Sequence, residues 1–344
     1  MTIITVSHEP VGADQSACGP ASWRQSVKRA VRHPGELCRL LDLPSELAKR
    51  ATAAHGDFPL FVPRELIARM RPGDPNDPLL RQVLPLDAET APVEGFLADP
   101  VGDVTARRSP GLLSKYRGRV LLVTTGACAV HCRYCFRRHY PYGQNPHAPR
   151  DWQPAIGEIA RDRELREVIL SGGDPLMLID RHLAELAQQL AAISHLTRLR
   201  VHTRLPIMIP QRVTEELLRW LTGSRLAPVM VVHVNHAAEI DGEVAAALTR
   251  LVEAGVPVLN QAVLLRGVND SVAAMAELCE RLVDLRVMPY YLHQLDRVAG
   301  AAHFEVPVAQ GLQIINELRA RLPGYAVPRY VQEIAGRPGK TVLA

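Results

Sequence analysis

The sequence is short of several things, and each shortage excludes something. No run of its 344 residues approaches 18 uncharged apolar positions, so no membrane-spanning helix is expected. Met1 to Pro10 has neither a basic start nor an apolar stretch. A secretory leader is therefore not expected, and a cytoplasmic location is. The formal charge is only +4, and the basic residues are not gathered into one tract. Bulk nucleic-acid binding is not implied. Lysine is nearly missing: only Lys28, Lys49, Lys115 and Lys340 interrupt a basic set of 40 that is otherwise arginine. A chain with that bias uses arginine wherever any cation will serve. A retained lysine is then a candidate for work a guanidinium cannot do, such as forming an imine.

What is present is ordinary for a globular enzyme: 47% hydrophobic and 22% charged residues. That is enough to bury a large core, in one big domain or two smaller ones. Six cysteines occur, at 18, 38, 128, 132, 135 and 279. Three of them fall within eight residues. In a chain that is neither small nor secreted, such a cluster reads as a metal site rather than a disulfide framework. Cys18, Cys38 and Cys279 read as ordinary thiols.

Residues 1–118 read as irregular and helical, with no strong strand pattern. Helices are expected from Trp23 to Arg32, from Ser45 towards Ala54, and from Pro63 to Met70. The breaker cluster Pro72 to Pro78 is expected to be loop. The pattern changes at Arg119. Short β-rich runs begin near Val120, Glu167, Leu199, Val229, Val256 and Val287. Amphipathic segments such as Arg181–Ile193, Gly242–Glu253 and Val272–Val283 lie between them. A strand-helix unit recurring about every 30 residues predicts right-handed βαβ crossovers and a parallel α/β sheet. Six units make either a partial barrel, two units short of eight, or an open doubly wound sheet. We expect three regions: helical 1–118, an α/β core over 119–325, and a short tail over 326–344.

Unusual polar residues collect just after the runs, where parallel α/β folds build their sites. Cys128–Cys135 follows the first, Ser171-Gly172-Gly173-Asp174 the second, His202 and Arg204 the third, and His233 and His236 the fourth. Gln261 lies in the fifth, and His293 and Asp296 follow the sixth. The first group has Cys-x3-Cys-x2-Cys spacing, which can turn three thiolates onto one centre. A structural zinc site needs a fourth ligand, for which His131 and His139 are the local candidates. Three cysteines without a fourth suit a four-iron cluster with one iron left open.

This spacing, with Tyr134 before the last cysteine, resembles the radical S-adenosylmethionine (SAM) superfamily. The resemblance implies a (β/α)6 partial barrel and a [4Fe-4S] cluster held by Cys128, Cys132 and Cys135. It also implies SAM chelated on the open iron, and an external electron donor that triggers its cleavage to a 5′-deoxyadenosyl radical. Ser171, Gly172, Gly173, Asp174, His233 and Gln261 match the superfamily's SAM contacts.

The likeness narrows at Cys135-Phe-Arg137-Arg138, Ser171 to Leu176, Pro210-Gln-Arg212, Leu265 to Asn269 and Pro289-Tyr-Tyr291. Across roughly residues 95–340 the chain resembles the lysine 2,3-aminomutase family, isomerases that also use pyridoxal phosphate (PLP). In that family the PLP imine of the substrate α-amine migrates to the β-carbon. The resemblance assigns Lys340 to PLP, Lys115 and Arg119 to its phosphate, and Arg137 to the substrate carboxylate. Asp296 and Glu333 fall to the distal ammonium of lysine. Glu333 is one methylene longer than the family's usual aspartate, and His293 replaces a tyrosine. The chain ends four residues after Lys340, and the cysteine segment resembles the branch that makes (R)-β-lysine for elongation factor P. There a separate ligase attaches the product, so neither nucleic acid nor membrane is an expected partner. Two other functions remain open: an aminomutase supplying free β-lysine or using another amino acid, and a metal-bearing RNA-binding module. The βα repeat argues against the last.

Overall fold

The computed structural model describes residues 22–56, 58–144 and 149–344. The expectations placed on Met1 to Pro10 and on Cys18 lie outside the described residues. Among the described residues ten strands form one sheet, and their spatial order is their order in sequence. β1 (Arg107–Ser109) and β2 (Leu112–Tyr116) form an antiparallel hairpin, and β2 pairs antiparallel with β3 (Arg119–Thr125). Six strands then add in turn, each parallel to the one before: β4 (Glu167–Gly172), β5 (Arg198–Thr203), β6 (Ala227–Val232), β7 (Val258–Val263), β8 (Met288–His293) and β9 (Arg329–Gln332). β10 (Thr341–Val342) returns antiparallel on β9.

Strand order decides between the two architectures. A doubly wound sheet reverses its order at a switch point. Here there is no reversal, so successive right-handed crossovers carry the helices between the parallel strands to the same face. The fold is an α/β partial barrel, and the doubly wound alternative is excluded.

The helices show why these segments fold as they do. Residues 180–191, 242–253 and 272–284 each bury one stripe at helical spacing, for example Leu183, Leu186, Ala187 and Leu190. Each fully buried leucine contributes roughly 1.5–3 kcal/mol. Helix starts are fixed locally: Thr214, Asp241 and Ser271 accept hydrogen bonds from the backbone at 217, 244 and 274. One continuous hydrophobic core includes Val31, Leu37 and Leu66 of the N-terminal region together with Leu170, Val232 and Ile315. The N-terminal helices therefore pack on the barrel rather than around a core of their own.

Three expectations are corrected. The region before Arg119 does contain strands. Gly111, with φ of 78°, turns Leu112 and Leu113 back to bury against β3, and one apolar pair is too little to show as alternation. The breaker cluster does not end in loop: Asp77 caps a short helix, Pro78–Arg81, with Pro78 at its first position. The C-terminal segment supplies β9 and β10, so it extends the sheet. No helix is long and apolar enough to cross a membrane among the described residues.

Candidate active site

A cavity of about 860 Å³ opens at the C-terminal ends of the parallel strands. That volume is at the upper end of small-molecule sites, ~300–1,000 Å³. The three clustered cysteines, the 171–174 turn, His233 and Gln261 all line it. So do Lys115, Arg119, Arg137, Asp296, Glu333 and Lys340. Residues far apart in sequence, such as Cys128, His233 and His293, meet around one cavity because each parallel crossover returns the chain to the same end.

The cysteine loop leaves β3 and is clamped from the N-terminal side. His131 donates its backbone N–H to Phe61 O at 3.0 Å, and its Nδ1 lies 2.7 Å from Pro59 O. His139 Nε2 lies 3.1 Å from Ala299 O. Both candidates for a fourth zinc ligand are thus engaged elsewhere. The donor set instead suits a cluster. Burial first, and the neighbouring cysteines next, push the Cys128 thiol well up and Cys135 to about 11. Thiols held up in this way at Cys128 and Cys135 call for a cationic centre, which reverses the balance. Cys38 and Cys279 are buried away from the cavity at 1% exposure, as ordinary thiols.

Beneath the loop lies a polar network that sequence reasoning missed. Glu89 is buried and receives Arg133 (Nε at 2.9 and 3.0 Å) and Arg138 (2.9 Å). Removing one partner from such a buried group typically costs about 3–5 kcal/mol. Arg204 donates to Glu239 (2.9 Å), Gln82 (2.7 Å) and Cys132 Sγ (2.7 Å). Nothing in the sequence pairs these residues, since Arg204 and Gln82 are 122 positions apart.

The glycine turn is required by the cysteine loop itself. Gly173 donates to Thr125 O at 2.7 Å, and Asp174 N donates to Ala127 O at 2.8 Å. A Cβ on Gly173 would lie 2.3 Å from Ala127 O, and one on Gly172 would lie 2.5 Å from Thr125 O. These glycines admit the neighbouring backbone. The Asp174 carboxylate accepts from Thr203 Oγ1 and from the backbone of Leu176, Arg204 and Leu205. Its oxygens thus tie the turn to β5. Two other sequence motifs are also scaffold. Arg212, fully buried, is bidentate to Asp180 at 2.8 and 3.1 Å. Asn269, equally buried, bonds Asn235 O, Val263 O and Leu265 N.

The charged residues form the other wall. Arg137 Nε donates to Asp103 at 2.6 Å and Nη1 to Ser171 Oγ at 3.1 Å. Lys115, on β2, pairs with Asp103 at 2.6 Å and donates to Val101 O at 2.8 Å. Arg119 lies 4.6 Å over the Tyr116 ring. Lys340 Nζ is 2.8 Å from Glu333, whose carboxylate also accepts from Tyr116 at 2.6 Å. Burial alone would raise Glu333, but Lys340, followed by Tyr116 and Lys115, holds it below the usual carboxylate range. Asp296 has no such neighbour in contact. Burial pushes it up to about 7, against the opposing pull of Lys340. Asp103 and Tyr116 were not foreseen, because both act across long sequence separations.

Three imidazoles, His202, His233 and His293, line the same cavity. Burial is the main cause that keeps all three low, with His233 at about 4, so each is neutral at pH 7.

An α/β partial barrel with a Cys-x3-Cys-x2-Cys loop at its open end defines a class. A model of the Radical SAM superfamily matches residues 122–279 of the chain. The chain is also 45% identical to the L-lysine 2,3-aminomutase of Haemophilus influenzae, over 94% of this chain and 96% of that protein. It is 48% identical to that of Escherichia coli, over 93% and 94%. For the Clostridium subterminale protein the values are 37%, 93% and 77%. The chain belongs to the L-lysine 2,3-aminomutase family, and is thereby an enzyme of the isomerase class. The cofactors of that family are a [4Fe-4S] cluster, SAM and PLP.

Proposed function

We propose that the protein converts L-lysine to (R)-β-lysine, and that the product is used to modify elongation factor P. The observation that carries this reading is the shared cavity. Three cysteines sit at one wall, and cations and carboxylates at the other. When bound, the cofactors supply the carbon radical and carry the migrating amine. This chain's residues hold and orient. Cys128, Cys132 and Cys135 are the three protein ligands available to a cluster. Lys340 is the single lysine at the cavity with an acidic partner and no second role. Lys115 and Arg119 face a phosphate, and Arg137 faces the substrate carboxylate.

Charge supports lysine as substrate. Glu333 already accepts an aliphatic ammonium, that of Lys340. Asp296 is a second acid at the same wall, and a carboxylic substrate tail would meet both. The downstream use rests on the cysteine segment and on high identity to the Haemophilus influenzae and Escherichia coli proteins over nearly their whole length. An external one-electron donor and a ligase acting on elongation factor P complete the proposal. We further read the helical region from Trp23 to Arg81 as packing over the α/β core.

The pH dependence of lysine binding tests the ammonium site. Asp296 lies near 7, so below that pH it is a neutral acid and cannot pair with a cation. An incoming ammonium favours its ionised form, so lysine binding should release a proton. The KM for lysine is expected to fall roughly tenfold from pH 6 to pH 8 as the carboxylate forms. Asp296→Asn should raise KM and flatten that dependence. Matching KM profiles for the two proteins would remove Asp296 from the substrate site.

A further inference from the structure

Asp103 is 1% exposed, and the reading above gives it no task. Its Oδ2 accepts from Arg137 Nε at 2.6 Å, and its Oδ1 lies 2.6 Å from Lys115 Nζ. The turn that carries it is built to present it. The Asp99 carboxylate accepts from the backbone of Asp103 and Val104, both at 2.9 Å. Gly102 has φ +68°, which an L side chain rarely adopts, and a Cβ there would be tight, 3.1 Å from Thr105 Oγ1 and 3.3 Å from Ala335 Cβ. The turn therefore presses against the segment that leads to Lys340.

We propose that Asp103 is a positioning residue that fixes the Arg137 guanidinium for the substrate α-carboxylate, and so sets the preference for substrates with that carboxylate free. The proposal rests on Arg137 binding that carboxylate. A guanidinium is a rigid planar fork with five donors. Asp103 takes the Nε side and Ser171 takes Nη1, so two anchors fix the plane. The remaining contacts are the faces of Phe136 and Tyr140, at 4.9 and 5.9 Å, which do not fix a rotation. Lys115 matters as much. Left alone, an aspartate meets arginine through both oxygens and neutralises it. Lys115 claims the second oxygen, so Asp103 orients Arg137 through a single bond. Nη2 and the second N–H of Nη1 stay available to another carboxylate.

The test measures binding without turnover. Protein loaded with PLP, without SAM, is titrated with L-lysine and with L-lysinamide, which keeps both amines and lacks the carboxylate. The readout is the shift of the PLP absorbance. The unchanged protein should bind lysine more tightly than lysinamide. In Asp103→Ala the lysine dissociation constant should rise about tenfold or more, as for loss of a charge-assisted bond. The lysinamide constant should change little, so the preference collapses. General damage to the fold would weaken both ligands alike. Asp103→Asn keeps an oxygen for Nε and sets an amide against Lys115, so it tests the same point if the alanine variant does not fold. Asp103→Ala that folds and keeps the full preference overturns the proposal and leaves Arg137 in its role. No preference in the unchanged protein overturns the Arg137 reading, and this one with it.

Discussion

In anaerobically reconstituted protein, changing Cys128, Cys132 or Cys135 to alanine is expected to remove the four-iron cluster and all radical chemistry. Each is one of three cysteines lining the cavity, and the two nearby histidines are already held by backbone carbonyls. No described side chain stands ready to replace a lost thiolate. Because the cofactor carries the difficult step, the loss should be complete rather than partial. Iron and sulfide content and the visible absorbance give the readout. Cys279→Ala is the matched control: its thiol is buried at 1% exposure, with burial raising it to about 12, and its loss should leave the iron content unchanged. Full cluster content in all three loop variants would contradict the site.

Lys340→Ala should separate the two cofactors. The cluster should remain, since Lys340 contacts Glu333 and the Tyr291 ring rather than the cysteine loop. The absorbance band of lysine-bound PLP should vanish, and turnover should fall by ~10³-fold or more, as for other essential nucleophiles. The alternatives are few. Lys28 and Lys49 are exposed, and Lys115 is committed to Asp103 and Val101 O. A persisting band would move PLP to one of those three. Glu333 should then be re-examined as well, because its ammonium partner is Lys340.

The barrel was legible in the sequence because its six β-rich runs and amphipathic helices repeat with a regular spacing, and each run lies within about two residues of a strand. The site was legible for a related reason. Parallel strands all point one way, so unusual residues just after them must meet. What stayed hidden was short or long-range. The 107–116 hairpin carries one buried apolar pair, Leu112 and Leu113, and no alternation. Glu89, Asp103 and Tyr116 look like ordinary surface residues until the fold sets them against Arg133, Arg137 and Glu333. Asp174 shows the opposite case. The sequence marks it as a ligand contact and it lines the cavity, but its scaffold role was not legible: its carboxylate accepts from hydroxyl and backbone donors that tie the turn to β5. Arg212 and Asn269 likewise stand out in motifs and serve to lock loops.

The most direct test of the account is an anaerobic assay of the reconstituted protein with PLP, SAM and dithionite. Lysine and glutamate are offered in parallel, and products are resolved by chiral mass spectrometry. The account predicts (R)-β-lysine from lysine and no β-glutamate. Cleavage of SAM to 5′-deoxyadenosine without any β-amino acid would contradict it, leaving the radical machinery and discarding the lysine site.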